Sequence, residues 1–343
     1  MQCDIIVPVW NQLDFTKGCI EAVFQNTIYP FHLIVVDNAS DDPTKNYLDK
    51  LAKDKKDRVT LLKNEKNLGF IKATNQGIKV SSAPYLCLLN NDTKVTTGWL
   101  TEMIKVAEAR DNIGIVNANS NTLGATPKKG ESLETFAGRL KSYTGRYSEL
   151  AWATGFCMLI KRQVAERVGP FDEIYGMGNF EDADFSKRAQ NFGYFCVCAI
   201  AAYVYHRERR SFIKHRRFDQ NFQRNRQIFY SKWGKQERIL YVLTKDDPEH
   251  IERVSQRSLE LARAAHIVWI FFKDQDGQGL DAHSNIYVYN LPRVLFNLIS
   301  FWRILKRKKK FDKIYVDDEN YARRLDNLKP FHKAEVIYEP RPS

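Results

Sequence analysis

Three residues, Asn90-Asn91-Asp92, follow directly on the apolar stretch Tyr85-Leu86-Cys87-Leu88-Leu89. Such a stretch reads as a buried strand. A strand that ends in amides and a carboxylate presents oxygen donors beyond the end of a sheet, where a hard divalent cation can bind. A second acidic group, Glu181-Asp182-Ala183-Asp184, opens a stretch with helical spacing. A carboxylate there can take a proton from a hydroxyl, and carboxylates at that point also suit the positive end of a helix. Together the two clusters point to a cation that holds a diphosphate and a base that activates an attacking oxygen.

These residues need a scaffold, and the apolar spacing supplies one. Short apolar runs predict strands at 5–9, 33–36, 59–62, 85–89 and 113–116, and helical spacing covers 13–24, 44–53, 69–80 and 99–109. Strands alternating with helices imply a largely parallel sheet covered on both faces, with ligands at the carboxyl ends of its strands. Asp37 and Asp92 both follow strand ends, so both face one crevice. Residues 120–150 are polar and carry Gly124, Pro127 and Gly130, which reads as a long mobile excursion of the kind that forms lids. An apolar run at 151–160, a helix at 162–168 stopped by Gly169-Pro170, a helix at 182–192 ended by Gly193 and an apolar run from 195 to His206 follow. Residues 214–235 are basic and carry Phe218, Phe222, Phe229, Tyr230 and Trp233. The alternation restarts at Arg238, with strands at 239–243, 267–272, 285–289, 314–317 and 335–338 and helices at 248–265 and 294–306. Two domains are expected, 1–236 and a small Rossmann-like α/β unit over 237–343.

The chain has 343 residues, enough for a sizeable core, and a net charge of +12, which favours an anionic partner: a nucleotide, a phospholipid surface or nucleic acid. Cys3, Cys19, Cys87, Cys157, Cys196 and Cys198 lack zinc-type spacing and fit a reducing cytosol. The N-terminus lacks the basic and long apolar segments of a signal peptide. No run approaches the roughly 18 apolar residues of a spanning helix. A cytoplasmic protein is therefore expected, peripheral to the inner face of a membrane if its basic segments meet lipid. The linker-like end, Glu339-Pro340-Arg341-Pro342-Ser343, suggests further domains of a longer chain.

Five motifs in order, IIVPVWNQ…LIVVDNASDD over 5–42, NLGFIKATNQG over 67–77, LLNND over 88–92, ATGFCMLI over 153–160 and GPFDEIYGMGNFEDADFSKRAQNFG over 169–193, resemble glycosyltransferase family 2. The likeness covers roughly the first 235 residues and is nearest the rhamnosyltransferase-like branch. It implies a GT-A fold, that is, a Rossmann-like nucleotide-diphospho-sugar transferase domain, and an inverting transfer. By the same resemblance, Asp37 reads the base of the donor nucleotide beside Pro8 and Trp10, and Asn67 and Lys72 border the nucleotide. Asn90-Asn91-Asp92 stands at the family's Asp-X-Asp position, with Asp92 and His206 as ligands of Mg²⁺ or Mn²⁺. Asp182 is the general base. Glu181, Trp152, Thr154 and Gly155 line the sugar and acceptor pocket, and Arg207, Arg209 and Arg210 clamp phosphates. Asn90 departs from the family pattern, which has an acid there.

The reading that results is an inverting, metal-dependent transferase. It takes a sugar from a UDP- or dTDP-linked donor to a hydroxyl of a surface polysaccharide or lipid-linked glycan. The basic segment 214–235 either meets a lipid-linked acceptor at the membrane face or packs below the site, and the run 306–310 has a membrane contact or a solvated helix end as its two readings. No nucleic-acid module is recognisable. Two alternatives stay open: a degenerate transferase kept as a binding scaffold, and a sugar-nucleotide-forming transferase. The second needs a Gly-rich phosphate loop, and Val9-Trp10-Asn11-Gln12 has no glycine.

Overall fold

The computed structural model describes residues 2–207, 216–245, 247–273 and 283–340. The chain divides into two compact units, Met1–Trp233 and Gly234–Ser343.

The first unit runs β1 Cys3–Val9, α1 Leu13–Asn26, β2 Phe31–Asp37, α2 Asp42–Asp54, β3 Val59–Lys63, α3 Phe70–Val80, β4 Tyr85–Leu89, β5 Thr93–Val95, α4 Trp99–Ala107 and β6 Ile113–Asn119. It continues with α5 Leu133–Leu140, β7 Tyr147–Leu150, β8 Cys157–Lys161, α6 Arg162–Val168, α7 Glu181–Asn191, β9 Phe195–His206 and α8 Arg216–Trp233. The sheet order is β3-β2-β1-β4-β8-β6-β9-β5, with β7 also paired to β9. Side chains alternate across the pleat. Ile5, Val7 and Val9 of β1 therefore enter one core, while Ile6 enters the other. Helices cover both faces, which is why β4 is apolar at every position. Local signals fix the helix starts: Asp41 accepts a hydrogen bond from Thr44 N and Pro43 occupies the first turn of α2.

The mixed α/β architecture matches the expected fold class, but the sheet is less parallel than the alternation suggests. β1 to β4 are parallel, whereas β8 runs antiparallel between β4 and β6. β5 and β7 pair antiparallel with β9. Both strands are missing from the sequence reading: β5 has only three residues, too few for a period to show, and β7, Tyr147-Ser148-Glu149-Leu150, is polar at its centre and lacks an apolar run. Residues 120–150 are likewise more than an excursion. They contain α5 and β7, and Phe136 is buried edge-on to Tyr203 at 4.8 Å between ring centroids.

The second unit runs β10 Arg238–Leu243, α9 Pro248–Arg263, β11 Ile267–Lys273, β12 Ile286–Leu291, α10 Phe296–Lys306, β13 Lys313–Val316, α11 Glu319–Asp326, α12 Lys329–His332 and β14 Glu335–Tyr338. Its five strands are all parallel in the order β12-β11-β10-β13-β14, which is the doubly wound Rossmann order 3-2-1-4-5 without a sixth strand. Among the described residues, no helix is long and apolar enough to cross a membrane.

Candidate active site

The carboxyl ends of β1 and β2 are joined by a polar network. Asn11 and Gln12 after β1 are left-handed, at φ 56° and 62°. This turn lets Asn11 N donate to Ser40 Oγ at 2.9 Å and Asn11 Oδ1 accept from Asp41 N at 2.7 Å. Trp10 stands exposed beside this turn, and Pro8 is half-buried within β1. Asp37 is buried at the end of β2, with Oδ1 accepting from Ser40 N. Its neighbour Asn38 is a hub absent from the sequence reading. Its amide donates to Asn67 Oδ1 and Gly69 O and accepts from Leu68 N and Asn64 Nδ2. Asn67 is thereby committed to shaping the turn into α3. Gly69 caps that helix at φ +86°, and a Cβ there would lie 2.9 Å from Met177 Sδ. Only a glycine lets the turn approach the 176–180 segment so closely. Lys72 points at Glu173, with Nζ 3.6 Å from Oε2, and both side chains are half exposed.

Asp92 and His206 meet at the end of β4. The antiparallel pairing of β5 with β9 places Thr93 opposite His206, and Asp92 Oδ1 lies 3.1 Å from His206 Nε2. The Asn90 amide nitrogen stands 3.5 Å from the same imidazole atom. Asn91 turns away and donates to Thr16 Oγ1 at 2.9 Å. The His206 ring is stacked on Phe156 at 5.3 Å and 12°. Asn121 clamps the backbone of His206 with two hydrogen bonds of 2.9 Å. Among the described residues no third His, Cys, Asp or Glu completes a cluster. One carboxylate and one imidazole nonetheless fit a divalent ion that takes its other ligands from diphosphate oxygens and water. Arg207 lies over the Phe15 ring at 5.1 Å. Arg209 and Arg210 lie outside the described residues.

The candidate base, Asp182, sits at the start of α7. Asn179 and Phe180 are left-handed at φ 77° and 74°, which turns the chain sharply into the helix. Asp182 Oδ2 accepts from Gly155 N at 2.9 Å and Oδ1 from its neighbour Ala183 N at 2.8 Å. Burial raises the Asp182 carboxyl above its ordinary value, and these two N–H groups oppose the rise. Glu181 is buried, and its Oε2 has no hydrogen-bond partner. Burial first, and the Asp182 charge second, push its pKa up to about 8, which favours the protonated acid. Asp184 is of a third kind. Burial alone would raise it, but Lys232, Trp233 and Arg188 converge on its two oxygens at 2.7, 2.9 and 2.8 Å and hold it ionised below the usual range. It ties α7 to α8. Asn225 of α8 donates to Tyr175 O and Gly178 O at 2.8 Å each, bracing the loop before α7. The described part of the basic segment thus packs below the site.

Residues 153–157 join the two halves of the site. Asn117, fully buried on β6, accepts from Thr154 N and donates to Thr154 O and Cys157 O. Gly155 then holds Asp182, and the next residue, Phe156, supports His206 with its ring and Asn90 N with its carbonyl at 2.9 Å. The proposed base and the proposed metal pair are therefore anchored on consecutive residues. Trp152 is half-buried and lies edge-on to Phe229, with ring centroids 6.0 Å apart. Asn38, Asn117, Asn121 and Asn225 are the residues the sequence reading missed. Buried amides carry no spacing signal, because their partners lie 26 to 85 residues away.

Residues 4–169 match the family model described as glycosyl transferase family 2. An uncharacterized protein y4gI of Sinorhizobium fredii is 26% identical over 221 residues, 60% of this chain and 24% of that protein. Glycosyltransferase AglE of Haloferax volcanii is 28% identical over 198 residues, 55% of this chain and 62% of that protein. The match spans less than two thirds of either relative. A solved structure of GalNAc-T7 with UDP, GalNAc and Mn²⁺ superposes with TM-score 0.52 at 14% identity, covering 68% of this chain and 49% of that one, a likeness of fold.

Proposed function

Because this chain carries a glycosyl transferase family 2 domain over residues 4–169, we propose that it transfers a sugar from a nucleotide-diphosphate donor to a glycan hydroxyl, with inversion and with a divalent metal. The observation that carries the reading is the 153–157 segment, which supports Asp182 through Gly155 and the Asp92–His206 pair through Phe156. Asp92 and His206 hold Mg²⁺ or Mn²⁺, which when bound neutralises charge on the diphosphate leaving group. Asp37, with exposed Trp10 after the neighbouring strand β1, receives the base of a UDP- or dTDP-sugar, since a carboxylate accepts the ring N–H of uracil or thymine.

Asp182 takes the proton of the acceptor hydroxyl as that oxygen forms its bond to the anomeric carbon. The bond from that carbon to the donor phosphate breaks, and its electron pair leaves with the nucleoside diphosphate. Protonated Glu181 leaves Asp182 as the one charged member of the pair, which keeps a single base ionised in a buried place. The acceptor is a surface polysaccharide or lipid-linked glycan. Asn90, an amide where the family has an acid, favours the scaffold alternative, and turnover decides between them. In assays with a panel of UDP- and dTDP-sugars, Asp182→Asn abolishes transfer and keeps donor binding, and EDTA stops the wild type. Turnover retained in Asp182→Asn removes that residue as base. Full activity in EDTA refutes the metal, and no turnover with any donor favours the scaffold.

A further inference from the structure

The second unit presents an exposed apolar surface of its own. In α10, Phe296, Ser300 and Ile304 are buried at helical spacing and seat the helix on its sheet. The opposite face is apolar yet open: Leu298 is 69% and Trp302 55% exposed, and Val294 and Leu295 just before the helix are 94% and 48% exposed. Leu295, Leu298 and Trp302 lie on one stripe at i, i+3 and i+7. An amphipathic helix is expected to place its apolar stripe inward, so a second stripe outward needs a partner.

Charge identifies that partner. Between His283 and Phe311 the chain has seven Lys and Arg residues and no Asp or Glu. Arg303 and Lys306 flank the stripe, with Lys306 Nζ 5.1 Å from the Trp302 ring centroid. Arg307 lies over the Trp269 ring at 4.0 Å, and Trp269 stacks on exposed Tyr287 at 5.3 Å, so aromatic and basic groups alternate beyond the helix end. Lys308 and Lys309 are exposed. An exposed indole and leucines within a stretch of chain that carries cations and no acid are the composition of a helix that lies in a lipid interface. A second copy of the chain is the weaker occupant, because a two-fold contact through this face would set the uncompensated cations against one another.

We infer that α10 and the basic run after it dock the protein on an anionic phospholipid surface, with Leu298 and Trp302 entering the headgroup layer and residues 306–310 meeting lipid phosphates. The test is co-sedimentation of the full chain with vesicles of equal parts phosphatidylglycerol and phosphatidylcholine, against phosphatidylcholine alone, with gel filtration in parallel. Sedimentation reads this surface whether or not the chain transfers sugar. The wild type binds the anionic vesicles and is released by high salt. Leu298→Ser/Trp302→Ser weakens binding tenfold or more, and Lys308→Glu/Lys309→Glu does the same without touching the apolar stripe. The inference is overturned by equal binding to neutral vesicles, by no binding to either, or by wild-type binding in both variants. A wild-type dimer that the Leu298→Ser/Trp302→Ser variant dissociates would assign the face to a second copy instead.

Discussion

Replacing Glu181 by Gln probes the buried carboxyl beside the proposed base. Glu181 has its pKa raised from 4.5 to about 8. A carboxyl raised in the folded state keeps a proton that the unfolded chain has released, so stability falls as pH rises from about 4.5 to about 8 and levels off above that. Between pH 6 and pH 9 the folded-state penalty grows by about two pK units, or about 2.5 kcal/mol. Thermal melts of wild type and Glu181→Gln at the two pH values read this directly. For a unit of this size, 1 kcal/mol moves Tm by about 2–4 °C, so the wild type should lose roughly 5–10 °C more than the variant across that interval. A Gln amide brings its own packing cost, but that cost is the same at both pH values and drops out of the comparison. Melting curves that shift in parallel would refute the argument and show Glu181 ionised in the folded protein.

Asn117→Ala leaves Thr154 N, Thr154 O and Cys157 O without their partner, which should cost about 3 kcal/mol by denaturant unfolding; a loss below about 1 kcal/mol would mean that the segment is held by other contacts. Gly69→Ala places a Cβ against Met177 at a backbone angle that disfavours side chains, a cost of about 2 kcal/mol. Adding Met177→Ala should return only part of that loss, and complete recovery would show the strain to be steric alone.

The strongly periodic elements were legible from spacing. Helix α6 was bounded by the Gly169-Pro170 stop, and α2 followed from the helical spacing over 44–53, while its Asp41 cap came only with the structure. Asn90-Asn91-Asp92 at a strand end was legible as well, because composition changes abruptly there. Its meeting with His206 was not derivable from spacing, since 114 residues separate Asp92 from His206 and the pairing depends on β5, too short to read. The acidic cluster shows the limit best. Glu181, Asp182 and Asp184 look alike in sequence but fold into three settings: a buried acid whose pKa is pushed up, a carboxyl held by two N–H groups and a carboxylate neutralised by Lys232 and Arg188. Burial and distant partners separate them, and neither is encoded locally.

The grip of Lys232 and Trp233 on Asp184 bears on where this protein can be cut. The match to the family model stops at residue 169, before the acid at 182 and the imidazole at 206. A recombinant fragment trimmed to that match would lose both, and one ending at 206 would take Lys232 and Trp233 from Asp184 and leave its buried charge to Arg188 alone. The shortest piece worth expressing therefore ends at the indole of residue 233, a border drawn by one carboxylate's cations rather than by resemblance.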